Sequence, residues 1–238
     1  MPARRARPDA RAVAVDLAVG GSLLAYHAVA HGRGARHHRV AANLGAAGVA
    51  VAVARAAGIT NTELGLSRRS MAAGLRTGAR GAALVAAAVG AAAVWPRTRA
   101  ALASTPADPA ADLAFDVLVR IPLETALAEE VLFRGVSYAL ARHHGSHRYA
   151  SAVTAVTFGL WHVGPARARS ARHRTTTTAA ATSIPHGVAV DVAVTALTSL
   201  ALVELRRRSG SILAPIVVHA TVNAVLLMTP AVLARLRG

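Results

Sequence analysis

The chain has 238 residues, of which 54% are hydrophobic and only 3% aromatic, and its mean hydropathy is +0.42. Alanine, valine and leucine therefore supply most of the apolar mass, which is typical of a membrane protein and unlike a soluble domain with polar helix faces. The absence of cysteine excludes disulfides, thiolate metal sites and a cysteine nucleophile.

The basic residues also favour a membrane. The net charge is +16, and all 27 basic residues are arginine, which together with abundant alanine and glycine indicates a GC-rich genome. They cluster between apolar segments, at residues 4–11, 33–39, 167–174 and 206–208. Flanks that contact anionic lipid headgroups explain this placement better than a nucleic-acid surface does. We therefore expect a lipid bilayer, and no nucleic acid, as a partner.

Seven apolar segments approach the roughly 20 residues that a helix needs to cross a bilayer. They lie at residues 12–31, 40–57, 79–95, 112–141, 149–164, 186–205 and 212–233. Residues 175–183 (TTTTAAATS) are too short and polar to count with them. The sequence thus predicts an all-α, polytopic bundle of about seven to eight transmembrane helices.

The first apolar segment follows Arg4, Arg5, Arg7 and Arg11, as the apolar part of a signal peptide would. It is long for that role and no cleavage site is evident, so we interpret it as an uncleaved first span. The basic cluster favours a cytoplasmic N-terminus. We expect one compact membrane domain, with N-terminal transmembrane helices in residues 1–111 and a catalytic core in residues 112–233.

Ionisable residues of the apolar segments concentrate in the second part of the chain. Charged side chains are costly within a membrane, and they usually face a bundle interior or a water-filled cavity. Five residues of the fourth span are spaced i, i+4 and could neutralise one another in an ion ladder, namely Asp116, Arg120, Glu124, Glu130 and Arg134. For the first three we prefer that interpretation. Glu129 has no partner on its own face, so it needs one from another helix. His162 and His219, each in an apolar segment, are the candidates.

Two further residues, Asn223 and Phe158, each lie four positions from one of these histidines. His219 and Asn223 are spaced i, i+4 and project from one helical face. Phe158 precedes His162 by the same spacing and is expected to be a packing wall. A purely structural interpretation makes Asn223 a hydrogen-bonding link between helices and each histidine a satisfied buried side chain.

Together these residues could hydrolyse a peptide, which requires a base, a donor to the leaving amine and donors to the oxyanion. Glu129 would be the base, with His162 sharing the proton of the water, while His219 and Asn223 stabilise the oxyanion. Alternatively, Glu129 or Glu130 with His162 and His219 would supply three ligands to Zn²⁺ or another divalent metal. The sequence leaves both mechanisms open.

Three motifs in this order resemble the CPBP family, also called the Abi or CAAX-protease family of intramembrane endopeptidases, which includes the type II CAAX prenyl endopeptidases. The motifs are EExxxR at Glu129, Glu130 and Arg134, FxxxH at Phe158 and His162, and HxxxN at His219 and Asn223. The approach to the third motif, from Gly210, and the segment ELGL at residues 63–66 are also similar to the family. The resemblance covers residues 112–230.

The resemblance implies a multi-pass intramembrane endopeptidase that acts on a membrane protein or peptide, and the composition of the chain indicates a bacterial plasma membrane. The resemblance leaves the metal open, because both metalloprotease and metal-free glutamate mechanisms are discussed for the family. The implied catalytic residues are Glu129, Glu130, His162, His219 and Asn223, the implied supporting residues are Arg134 and Phe158, and a metal would bind Glu129, His162 and His219.

Two alternatives come from other functional classes. The chain could be a non-catalytic membrane scaffold or a bacteriocin-immunity protein, whose polar residues only hold helices together. It could also be a proton-coupled transporter that uses its intramembrane Asp, Glu and His residues as a relay. A transporter would favour repeated or broken helices in two related halves, and the sequence shows no such repeat.

Overall fold

The computed structural model describes residues 9–30, 36–103, 109–176 and 184–236, and within these ranges all regular structure is helical. This confirms the predicted all-α class. A 3₁₀ turn at Arg68–Ser70 precedes the helix α3, which spans Met71–Val94. The helix α5 runs continuously over residues 110–144. The other helices are α1 (Ala10–Ala30), α2 (Arg36–Ala56), α4 (Pro96–Ala103), α6 (His147–Trp161), α7 (Val163–Thr176), α8 (Ile184–Ser209) and α9 (Leu213–Arg235).

Five helices of the described residues are long and apolar enough to cross a membrane, so the chain is an all-α membrane bundle. They span Ala10–Ala30, His38–Ala56, Arg68–Val94, Gly187–Ser209 and Leu213–Arg235. The two other predicted spans are also helical, but α5 is charged and α6 has only 15 residues, about 22 Å of helix against a hydrocarbon core of about 30 Å. Residues 177–183, the main part of the uncounted polar segment, lie outside the described residues, as do 1–8 and 31–35 of the basic clusters.

The central helix α5 has an unusual winding. Its α-helical parts Ala110–Phe115, Ala128–Glu130 and Tyr138–His144 alternate with the π-helical segments Asp116–Leu127 and Val131–Ser137. Pro122, which has no N–H to donate, lies in the first π-helical segment. Every residue from 128 to 139 is buried. The core of the bundle therefore surrounds the part of α5 that carries the two adjacent glutamates.

Helices α3 and α9 approach closely because glycines of α3 face α9. A Cβ added to Gly78 would lie 2.9 Å from Cβ of Val217 and 3.1 Å from the carbonyl oxygen of Ala214. A Cβ added to Gly81 would lie 2.6 Å from Cγ2 of Val218, and one added to Gly74 would lie 2.7 Å from Ser211, just before α9. Small residues allow such backbone approach within membranes. The packing of α3 against α9 therefore sets the position of α9, the helix that carries the third motif.

Helix α1 is anchored to α6 and α2 by side-chain hydrogen bonds. The Tyr149 hydroxyl donates to Oδ2 of the buried Asp16 at 2.6 Å, and the Tyr26 hydroxyl donates to Oδ1 of Asn43 at 2.7 Å. These contacts place the C-terminal part of α1, including His27, beside the end of α6.

The loop before α3 is held against α5, α8 and α9. The buried Arg206 donates to the carbonyl oxygen of Arg134 at 2.7 Å and also to that of Glu63. The amide of Ile212 donates to the carbonyl oxygen of Gly65 at 3.0 Å, and Gly65 has the positive φ of 72° that a side chain disfavours. The ELGL segment thus braces the helix that carries EExxxR.

Candidate functional site

The predicted site residues come from three helices. Glu129 and Glu130 lie on the single α-helical turn between the two π-helical segments of α5. Consecutive helical side chains diverge by about 100°, so the two carboxylates contact different neighbours although both are buried. His162 caps the C-terminus of α6, and His219 with Asn223 lies on α9.

The Glu130 carboxylate binds one residue of its own motif, Arg134, and one residue of the third motif, His219. Its Oε1 accepts hydrogen bonds from Nη1 of Arg134 at 2.9 Å and from Nδ1 of His219 at 2.7 Å. Glu130 and Arg134 are fully buried, and the Arg134 guanidinium lies 4.1 Å from the centroid of the Phe158 ring. Glu130 therefore joins the first motif to the third, and Arg134 brings the Phe158 ring of the second motif next to them.

This contact determines the chemistry of His219. An ionised carboxylate only accepts hydrogen bonds, so Nδ1 of His219 carries a hydrogen. Its Nε2 lies 4.0 Å from Oε2 of Glu129. The imidazole thus bridges the two adjacent glutamates of α5, with one nitrogen directed to each.

Glu129 is held by α6 as well as by α9. Its Oε1 accepts a hydrogen bond from the indole Nε1 of Trp161 at 3.2 Å. Its Oε2 is buried and has no hydrogen-bond partner among the described residues. Oε2 of Glu130 and Oε2 of Glu124 likewise have no hydrogen-bond partner among the described residues, so Glu129 is distinguished by its contacts with Trp161 and His219 beside the cavity.

His162 is oriented by its own helix. Its Nδ1 donates to the carbonyl oxygen of Phe158 at 2.8 Å, so Nε2 of the neutral ring keeps a lone pair that can accept a proton. The Phe158 ring is buried and packs against the rings of His162 and Phe133, with centroids 4.6 and 5.0 Å away. Phe158 is therefore the packing wall that its spacing predicted.

A cavity of about 920 Å³ lies beside these residues. It is lined by three of the predicted site residues, Glu129, His162 and Asn223. Helices α1 and α2 supply a further part of its wall, through His27, Arg39 and Asn43. The site is therefore a mixed polar and apolar chamber built by both parts of the chain, with room for a segment of peptide and water.

The predicted ion ladder is confirmed in two of its steps. Arg120 makes two 2.6 Å hydrogen bonds to Asp116, and the pair of Glu130 with Arg134 is described above. Glu124 differs from the prediction in part, because its Oε1 also lies 3.7 Å from Nε of Arg39 on α2. The local spacing alone could not show this inter-helix contact.

Sequence reasoning missed two residues next to Glu129. Trp161 donates to its carboxylate, and His27 packs on the indole with ring centroids 3.9 Å apart. Trp161 precedes His162 within FGLWH, so its position in the motif was a usable signal. His27 had none, because it lies in an apolar span far away in the sequence.

The predicted metal ligands do not form a three-ligand centre in the described residues, where no group of three or more His, Asp or Glu side chains is placed to hold a metal ion. The hydrogen bond between His219 and Glu130 occupies Nδ1, and Nε2 faces Glu129 across 4.0 Å. The mechanism proposed below uses these side chains alone. A requirement for Zn²⁺ or another divalent metal stays a prediction.

Comparison with known proteins supports the motif assignment. Residues 112–225, slightly less than half of the chain, match the family model described as type II CAAX prenyl endopeptidase Rce1-like. This part of the chain is therefore similar to the Rce1-like family. The match contains all three motifs, from Glu129 to Asn223, and confirms the resemblance to CAAX proteases. No curated protein and no solved structure matches the chain. The match supports an intramembrane protease of the CAAX type.

Proposed function

We propose that this protein is an intramembrane endopeptidase that hydrolyses a peptide bond of a membrane-associated protein or peptide by means of a glutamate-activated water. One observation carries the proposal. Glu129, whose Oε2 has no hydrogen-bond partner among the described residues, lines a single cavity together with His162 and Asn223. A base, a second proton acceptor and an amide donor therefore face one space.

The first step is attack by water on the peptide carbonyl carbon. Trp161 holds Oε1 of Glu129, and Oε2 is the oxygen that receives the proton of the water as the new C–O bond forms. His162 orients the same water through Nε2, since its Nδ1 is engaged by the Phe158 carbonyl.

The second requirement is stabilisation of the oxyanion. Nε2 of His219 can donate only when the ring is doubly protonated, because Nδ1 already carries the hydrogen shared with Glu130. The adjacent Asn223 amide supplies a second donor at the cavity wall.

The reaction ends when Glu129 returns the proton to the leaving nitrogen. The C–N bond then breaks, the new carboxylate stays on the N-terminal product and the amine on the C-terminal product. The bilayer supplies the substrate, since the chamber opens within a helical bundle that crosses the membrane. The arginine-only, alanine-rich composition favours a bacterial plasma membrane as the location.

Identification of cleavage products tests the proposed reaction. Purified protein in detergent is incubated with a membrane-peptide library, and new termini are found by mass spectrometry in water enriched with ¹⁸O. We expect internal cleavage with one ¹⁸O atom in each new carboxylate. Cleavage that occurs equally with the Glu129→Gln variant would show a contaminating protease and contradict the proposal.

A further inference from the structure

The indole of Trp161 is the direct neighbour of the proposed base. Its side chain is 2% exposed, and Nε1 donates to Oε1 of Glu129 at 3.2 Å. Its ring packs on His27 of α1 with a centroid distance of 3.9 Å, and edge-to-face on Phe133 of α5 at 5.2 Å. Two aromatic neighbours from different helices therefore fix the plane in which the N–H points.

We infer that Trp161 is a positioning residue for the Glu129 carboxylate and that His27 holds the indole in place. The inference rests on the proposed function, in which Glu129 is the base. Indole can only donate a hydrogen bond, so it binds one carboxylate oxygen and leaves Oε2 for the water. Without the N–H the carboxylate is free to rotate about its last torsion, which is broad for glutamate.

The contact also gives α1 a role in the site. His27 lies outside the family-matched residues 112–225, yet it is buried and lines the same cavity as Glu129. The hydrogen bond between Tyr149 and Asp16 ties α1 to α6 and so keeps His27 against Trp161. Through His27 and Trp161, helix α1 thus helps to position Glu129 on α5.

The contact can be tested without any activity. The chain has two tryptophans, and Trp95 is 64% exposed at the end of α3, so Trp95→Phe leaves Trp161 as the sole indole. Ultraviolet resonance Raman spectroscopy reports the hydrogen-bond state of the indole N–H. We expect the marker band to shift to its unbonded position when Glu129→Ala is added, and to stay when Glu124→Ala is added. A marker band that keeps its position in the Glu129→Ala variant would overturn the inference.

Turnover separates positioning from packing. Trp161→Phe keeps an aromatic ring but loses the N–H, so we expect kcat to fall by up to roughly 10²-fold, with a smaller change in KM, at a temperature at which the variant is still folded. His27→Phe, which keeps a ring against the indole, should retain more activity than His27→Ala. Full kcat in Trp161→Phe would overturn the inference. An inactive wild type would contradict the proposed function instead, and the Raman comparison would still decide whether Trp161 holds Glu129.

Discussion

Nδ1 of His219 lies 2.7 Å from Oε1 of Glu130, a buried contact between residues 89 positions apart. The same carboxylate oxygen binds Nη1 of Arg134. The EExxxR and HxxxN motifs are therefore parts of one polar cluster, which joins α5 to α9 and orients the imidazole toward Glu129. Its energetics and chemistry lead to separate predictions.

Removal of Arg134 should destabilise the fold strongly. Arg134→Met leaves the fully buried Glu130 without its cation, and such a loss costs about 3–5 kcal/mol. We expect a large drop in the thermal midpoint in detergent, partly recovered in the double variant Arg134→Met/Glu130→Gln. Arg208→Met is the matched control, because the Arg208 side chain is 72% exposed and its pair with Glu204 is solvent-screened. Equal drops for Arg134→Met and Arg208→Met would contradict the account.

The close contact of α3 with α9 predicts a position-specific effect of glycine substitution. Gly78→Ala places a methyl group 2.9 Å from Cβ of Val217 and 3.1 Å from the backbone carbonyl oxygen of Ala214, and such overpacking costs about 1–3 kcal/mol. Gly90→Ala on the same helix meets nothing within 4 Å and should be tolerated. Thermal unfolding of the two variants checks this, and a tolerated Gly78→Ala would argue against the packing described.

Acid should weaken the ELGL loop through Glu63. The Thr60 backbone N–H and, next, its hydroxyl hold the pKa of the Glu63 carboxyl below its ordinary value of 4.5, with His143 adding to the effect. A lowered pKa contributes stability that is present above the unfolded pKa and is lost as the pH falls through the folded value. The difference in thermal midpoint between wild type and Glu63→Gln should therefore shrink on acidification. Parallel pH curves would refute this role.

The proposed glutamate mechanism uses side chains alone, so it predicts that peptidase activity survives treatment with a chelator. The Nδ1 of His219 is bound to Glu130, which leaves Nε2 as the nitrogen that a metal would need in the alternative mechanism. Turnover after dialysis against EDTA should match that of untreated protein. Loss of activity that returns when Zn²⁺ is added would instead support the metal mechanism, with a rearranged set of ligands.

Local features of the site could be predicted from the sequence, whereas contacts between helices could not. Asp116 and Arg120 pair as their i, i+4 spacing requires, and the motifs placed Glu129, His162 and Asn223 at one cavity. Alanine-rich helices are apolar on every side, so their hydrophobic pattern does not select the face that meets a neighbour.

Two contacts were not predicted, because the hydrophobic pattern did not show which helix faces meet. His27 on Trp161 and Arg39 on Glu124 join residues from helices distant in the chain. The π-helical winding of α5 adds to the difficulty, because it changes which residues share a face. The predicted division between residues 1–111 and 112–233 stays a prediction, although α1 and α2 supply part of the cavity wall.

The most direct test of the central claim is turnover of a cleaved peptide by Glu129→Gln beside Glu204→Gln. The first change removes the proposed base and keeps the shape of the side chain. The second removes a partly exposed carboxylate at the end of α8, whose ion pairs within the described part of the chain are with Arg207 and Arg208 of the same helix. We predict that Glu129→Gln lowers kcat by at least about 10²-fold, whereas Glu204→Gln cleaves at the wild-type rate. Wild-type kcat in folded Glu129→Gln would contradict the assignment of Glu129 as the catalytic base.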